Sequence, residues 1–158
     1  MAFGGLSRGD LLLLATLLAI TGAADASYLT WQWYAEAGAS WCDVNSYFSC
    51  SRVRESSFAS IGGVPTAVIG VIGFLAVFVV ATFLLLGRVR LGPFNLNRWL
   101  LVLASIGAAI GLGLTVIEVF VIQAVCLLCA IGFALDLGIL GLALALRRVP
   151  PVESGSVG

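Results

Sequence analysis

Apolar residues run along this chain in long blocks rather than at the spacing of half-buried strands or surface helices. A helix crosses the hydrocarbon of a bilayer in about 20 residues, and four blocks of that order stand between polar or turn residues. The first, residues 10–33, contains the run Leu11 to Leu14 and ends in Trp31, Trp33 and Tyr34, aromatic types that favour the membrane interface. The second, 64–86, follows Gly62 and Gly63 and has Pro65 where a helix's first turn would begin. Residues 99–146 are apolar almost throughout and would measure about 72 Å as a single helix, more than twice the bilayer. They must fold back, and the polar residues nearest the middle, Glu118 and Gln123, put the turn just before Cys126. Spans at 99–121 and 125–146 follow. The expected fold is an all-α membrane protein, a four-transmembrane-helix bundle forming one domain over 1–149, with an extracytoplasmic loop between helices 1 and 2. The small, polar stretch 150–158, opened by Pro150 and Pro151, is expected to be a disordered tail. Read differently, Arg8, the apolar run after it and Ala24-Asp25-Ala26 resemble a cleaved signal peptide; the apolar character that continues past Asp25 favours a retained span.

Composition sharpens this reading. Hydrophobic residues make up 61% of the chain and charged ones 10%, with a mean hydropathy of +1.12, whereas a soluble domain needs about a quarter charged residues. The net charge is zero and no basic run exists, so there is no electrostatic footprint for nucleic acid. Histidine is absent, which excludes Ser-His-Asp chemistry and any His-ligated metal or haem. Arginines fix the expected orientation: Arg8, Arg88, Arg90, Arg98, Arg147 and Arg148 fall on one side, and only Arg52 and Arg54 on the other. Both termini are then cytoplasmic, and the loop from about Tyr34 to Gly63 faces outward across the plasma membrane.

What remains for chemistry is four cysteines. Cys42 and Cys50 lie in the outward loop, and Cys126 and Cys129 open the fourth span beneath the outward turn, so all four share the side on which disulfides persist. Cys126-Leu127-Leu128-Cys129 puts two sulfurs on one face of a helix, near an N-terminus that stabilises a thiolate. Two pairs at one membrane face suit an electron relay from water to lipid. The plainer alternatives are a loop staple with two buried small hydrophobes, or a zinc or iron-sulfur site ligated by all four. Four cysteines permit three pairings.

The run Cys42-Asp43-Val44-Asn45-Ser46-Tyr47-Phe48-Ser49-Cys50-Ser51-Arg52-Val53, then Ser56, Gly62-Gly63-Val64-Pro65 and the distal Cys126-x-x-Cys129 closely resembles the vitamin K epoxide reductase (VKOR) family, over most of the chain. The Gly-Val-Pro entry to span two and the short hairpin between spans three and four look like its prokaryotic members. The resemblance implies a four-helix bundle around a quinone that reoxidises a separate thioredoxin-like dithiol protein and so supports disulfide formation in exported proteins. It implies that Cys42 accepts electrons from the partner, Cys50 passes them to Cys126, and Cys126 with Cys129 reduces the quinone, Cys129 lying nearest the ring. Ser56 matches the family's supporting loop hydroxyl, and is read equally well as a helix-capping serine. Such a relay uses two pairings in turn, Cys42 with Cys50 and Cys126 with Cys129, then Cys50 with Cys126, and so predicts a loop that moves.

Two positions depart from the members that reduce the vitamin epoxide. Phe133 stands where they carry a tyrosine, and Thr66 where they carry a quinone-binding asparagine. Both departures favour a plain quinone, such as menaquinone or ubiquinone, over the epoxide. No metal is expected. Asp25 and Glu118 fall near span ends, where solvation accounts for them. Asp136, ten residues beyond Cys126 or about 15 Å down the helix, is read as too deep for the sulfurs, with proton movement or an interhelical hydrogen bond open to it and the structural role preferred. Asp43 either caps the loop or pairs with Arg52 or Arg54. Gly107-x-x-x-Gly111 is read as close helix packing.

Overall fold

The computed structural model describes residues 7–35 and 40–149; the stretch 150–158, expected to be a disordered tail, lies outside the described residues. Four helices are long and apolar enough to cross a membrane: α1 (Arg8–Tyr34), α3 (Thr66–Leu85), α4 (Leu96–Ile117, continued by a π-helical turn, Glu118–Ile122) and α5 (Leu127–Leu146). The loop between α1 and α3 carries a short helix, α2 (Cys50–Glu55), and a two-residue ribbon pairing β1 (Ser60–Ile61) with β2 (Val64–Pro65). A second ribbon, β3 (Arg90–Leu91) with β4 (Phe94–Asn95), joins α3 to α4. Pro65 stands one residue before α3 in extended conformation, just ahead of the first turn expected to contain it. Gly62 and Gly63 at the ribbon's turn have φ of 60° and 84°, the left-handed conformation that only glycine adopts without cost.

α1 packs against α3 and α5, and α4 against α5 and α3, which places α1 and α4 across the bundle's diagonal. Exposed leucines and isoleucines, among them Leu17, Ile20, Ile72 and Ile106, cover the outside, as a lipid solvent allows. The first turns of α1 and α4 are closed by side chains. Ser7 and Asp10 form a reciprocal capping box, Asp10 N–H donating to Ser7 Oγ at 3.2 Å and Ser7 N–H to Asp10 Oδ2 at 2.9 Å. Asn95 accepts from the amides of Asn97 and Arg98 at the start of α4. Arg8 Nη2 donates to Asn97 Oδ1 at 2.6 Å, tying the first turns of α1 and α4 together.

The buried core divides in two. At the Arg8 end, Leu11, Ala15, Ala81, Leu100, Ala104 and Ile139 interlock, alanines letting the backbones approach. At the opposite end a small cluster contains Cys42, Cys50, Val53, Ala124, Cys126 and Leu128. Between the two the helices separate around a cavity.

Candidate redox site

The loop is organised by one carboxylate. Asp43 Oδ1 accepts from Ser49 Oγ at 2.9 Å and Ser51 N–H at 3.0 Å, and its Oδ2 from Ser51 Oγ at 2.6 Å and Ser40 N–H at 2.7 Å. Of the two roles open to Asp43 in the sequence, the structure takes the loop cap. Desolvation pushes its carboxyl up, but the bonds from Ser51, Ser49 and Ser40 outweigh that and hold it at about 2. This clamp brings the two flanks of Cys42 and Cys50 together, and the two cysteines form a disulfide.

A second device sets the loop against α5. The π-helical turn ends at Gln123, a non-glycine residue with φ of 54°, which turns the chain from helix into an extended step at residues 124–126. Val125 there pairs with the loop in parallel fashion: Ser49 N–H donates to Val125 O at 3.2 Å, and Val125 N–H to Tyr47 O at 2.7 Å. The paired residues are Phe48 and Val125; Cys50 stands two residues beyond the first and Cys126 one beyond the second, and their Sγ atoms are 3.1 Å apart. Cys126 is the N-cap of α5, its Sγ accepting the amide of Cys129 at 3.4 Å. Cys126 and Cys129 are free thiols, so three sulfurs form a chain from the Cys42–Cys50 disulfide to the helix.

Glu118 completes the corner. It is 4% exposed, and its Oε2 accepts the Cys126 amide at 3.0 Å; its carboxylate also interacts with the side chain of Cys129. Solvation at a span end does not account for it, because the π-helical turn directs it inward rather than toward water. The signal was a carboxylate eight residues before the first cysteine of the Cys-x-x-Cys, whose meaning depends on that turn.

The cavity holds about 530 Å³, within the range of small-molecule sites. Cys50, Cys126 and Cys129 border it at the loop end, with Ser56 and Thr66, while Phe133 and two acids, Asp25 and Asp136, line it deeper in the bundle. It reaches the lipid-facing surface between α3 and α4, where Ile72 and Ile106 line it and remain exposed. Ser56 is the C-cap of α2 and donates from Oγ to Val53 O at 2.7 Å; Thr66 Oγ1 donates to Ala59 O at 3.2 Å. Both hydroxyls therefore fasten the loop that roofs the cavity. Of the seven residues expected to act on or bind the quinone or the partner, Cys42, Cys50, Ser56, Thr66, Cys126, Cys129 and Phe133, only Cys42 stays outside the lining.

The sequence model of the Vitamin K epoxide reductase family matches residues 13–144, most of the chain and every residue of this site. A comparison with curated proteins finds no match.

Proposed function

The chain belongs to the vitamin K epoxide reductase family and is a membrane oxidoreductase; from this membership and its sulfur geometry, we propose that it is a quinone-coupled thiol oxidoreductase that reoxidises a thioredoxin-like partner. The observation that carries the proposal is the 3.1 Å separation of Cys50 Sγ and Cys126 Sγ, the distance from which one thiolate displaces another. The largely apolar cavity beside Cys129, open between α3 and α4, suits a flat lipid-soluble ring. A quinone held there supplies an acceptor for two electrons and two protons.

Every step of the cycle but the oxidation by the acceptor exchanges one sulfur–sulfur bond for another. A partner thiolate attacks Cys42, the Cys42–Cys50 bond breaks, and Cys50 leaves as thiolate. The partner's second thiol then displaces Cys42, leaving the partner oxidised and the loop cysteines reduced. Cys126 and Cys129 give up two electrons and two protons to the acceptor and become a disulfide. Cys50 attacks Cys126, releasing Cys129, and Cys42 attacks Cys50, releasing Cys126. The arrangement of one loop disulfide and two helix thiols is the product of that last exchange, ready at both ends.

On this reading the cysteines face the exterior of the cytoplasmic membrane, where the disulfide persists, and both termini face the cytoplasm, as the arginine count requires. Exposed Trp41, Val44, Tyr47 and Phe48 surround the loop cysteines and offer the partner an apolar docking rim. The test is quinone reduction by purified protein in detergent, driven by a reduced thioredoxin-like protein or by a small dithiol. Loss of Cys126 or Cys129 should abolish turnover with either donor, and loss of Cys42 or Cys50 should abolish it mainly with the protein donor. Inertness of the parent toward both benzoquinones and naphthoquinones would sink the proposal.

A further inference from the structure

Asp136 is 7% exposed, and its Oδ2 is the one buried side-chain oxygen or nitrogen among the described residues that has no hydrogen-bond partner. Such an atom is costly in hydrocarbon, and natural structures leave few of them without a reason. The interhelical role read from the sequence does not hold, because α4 presents Gly107 at that point. A Cβ on Gly107 would lie 2.7 Å from Asp136 Oδ2, and one on Gly111 would lie 2.5 Å from Phe133 Cδ2. The Gly-x-x-x-Gly stripe is thus a slot for two α5 side chains as well as a packing surface, and the acid lines the cavity.

Its depth suits a ligand that starts at the sulfurs. Residues 129 and 136 are seven apart on α5, hence on one face and about 10.5 Å along the axis. Contact of about 3 Å at Cys129 and a hydrogen bond of about 3 Å at the carboxyl leave roughly the width of one ring with its carbonyl oxygen. Phe133, between them, leans onto Gly111 and lines the same cavity. Asp136 in its acid form has an O–H donor, whereas Ser56 and Thr66, the hydroxyls at the loop end, donate to backbone carbonyls.

Resting on the quinone reading above, we propose that Asp136 is the deep binding residue of the cavity, donating a hydrogen bond to the ring carbonyl remote from Cys129. It takes over the polar contact that Phe133 and Thr66 do not make, and it selects para-quinones whose two carbonyls lie along the α5 face.

The experiment measures equilibrium binding of a short-chain benzoquinone and of menadione to the full chain in detergent. It runs beside dithiol-driven turnover and a chemical assay of the Cys42–Cys50 disulfide. Asp136→Leu should weaken quinone binding and raise KM about 10-fold or more with kcat changed less, while the loop disulfide forms as in the parent. Asp136→Asn, which keeps a donor, should stay within about threefold. Gly107→Ala, which displaces the carboxyl without removing it, should weaken binding in the same direction. Parent-like binding by Asp136→Leu would overturn the inference and leave the quinone reading standing. Failure of the parent to bind either quinone would remove both. If Asp136→Leu does not fold, loss of binding in Asp136→Asn equal to that in Gly107→Ala would show that a carboxyl-specific role, not donation, is at work, and would also overturn it.

Discussion

Cys50 Sγ sits 3.1 Å from Cys126 Sγ while still bonded to Cys42, so the exchange between loop and helix begins without any search. The pairing of Phe48 with Val125 sets that distance, because it fixes the register of the two segments that end in these cysteines. If Cys42 is replaced by alanine, Cys50 has no loop partner and one neighbour within reach. Cys42→Ala is therefore expected to accumulate a Cys50–Cys126 disulfide under mild oxidation. Peptide mapping without reduction would find it, and a Cys126–Cys129 bond with free Cys50 would contradict the geometry.

The Glu118 carboxylate accepts the Cys126 amide at the start of α5. Glu118→Ala leaves that buried N–H unsatisfied at a cost of about 1–3 kcal/mol, and should lower the melting temperature in detergent and slow thiol exchange. Glu118→Gln keeps an oxygen acceptor and should recover most of the stability. A Glu118→Ala protein that melts like the parent would show the bond to be dispensable.

Gln123 carries the left-handed turn that lets residues 124–126 face the loop. A β-branched residue is strained there, so Gln123→Val should cost about 1–2 kcal/mol and reduce the yield of the Cys50–Cys126 crosslink in the Cys42→Ala background. Gln123→Gly removes the steric cost and should fall within about 1 kcal/mol of the parent.

Acid should loosen the loop through Asp43. Its folded carboxyl, held at about 2, lies below the ordinary 3.8, so the clamp contributes stability that is fully present above 3.8 and is lost as pH falls from there through about 2. Reactivity of the loop cysteines toward a maleimide after brief reduction, taken relative to that of an unfolded cysteine peptide at the same pH because only the thiolate reacts, should rise across that window in the parent. In Asp43→Asn it should already be high at neutral pH and change little with acid. An unchanged Asp43→Asn protein would remove the clamp from the account.

The four spans, the turn before Cys126 and the sulfurs' common end were legible because block length and polar interruptions are local properties of the sequence. The parallel step between residues 47–49 and 125 was not legible, since nothing in either segment names the other. Glu118 was misread as solvated, and the interhelical hydrogen bond open to Asp136 is not made, for one reason. Depth along a helix can be counted, but the direction a side chain takes depends on a π-helical turn in one case and on glycines of a neighbouring helix in the other. Gly107 and Gly111 announced that something would come close, without saying that one of the close groups would be an acid.

Cys42 is 0% exposed, Cys50 4% and Cys126 1%, so three of the sulfurs that the proposed relay uses are insulated from water. A reductant in bulk water meets these sulfurs only when the loop lifts, and the rim around them rewards a macromolecule with apolar area more than it rewards a small free thiol. On the proposed relay, this burial holds down leakage between the aqueous thiol pool and a quinone in the membrane. In that proposed circuit the Asp43 clamp is the switch, and a looser clamp would trade speed with the proper donor for current lost to improper ones.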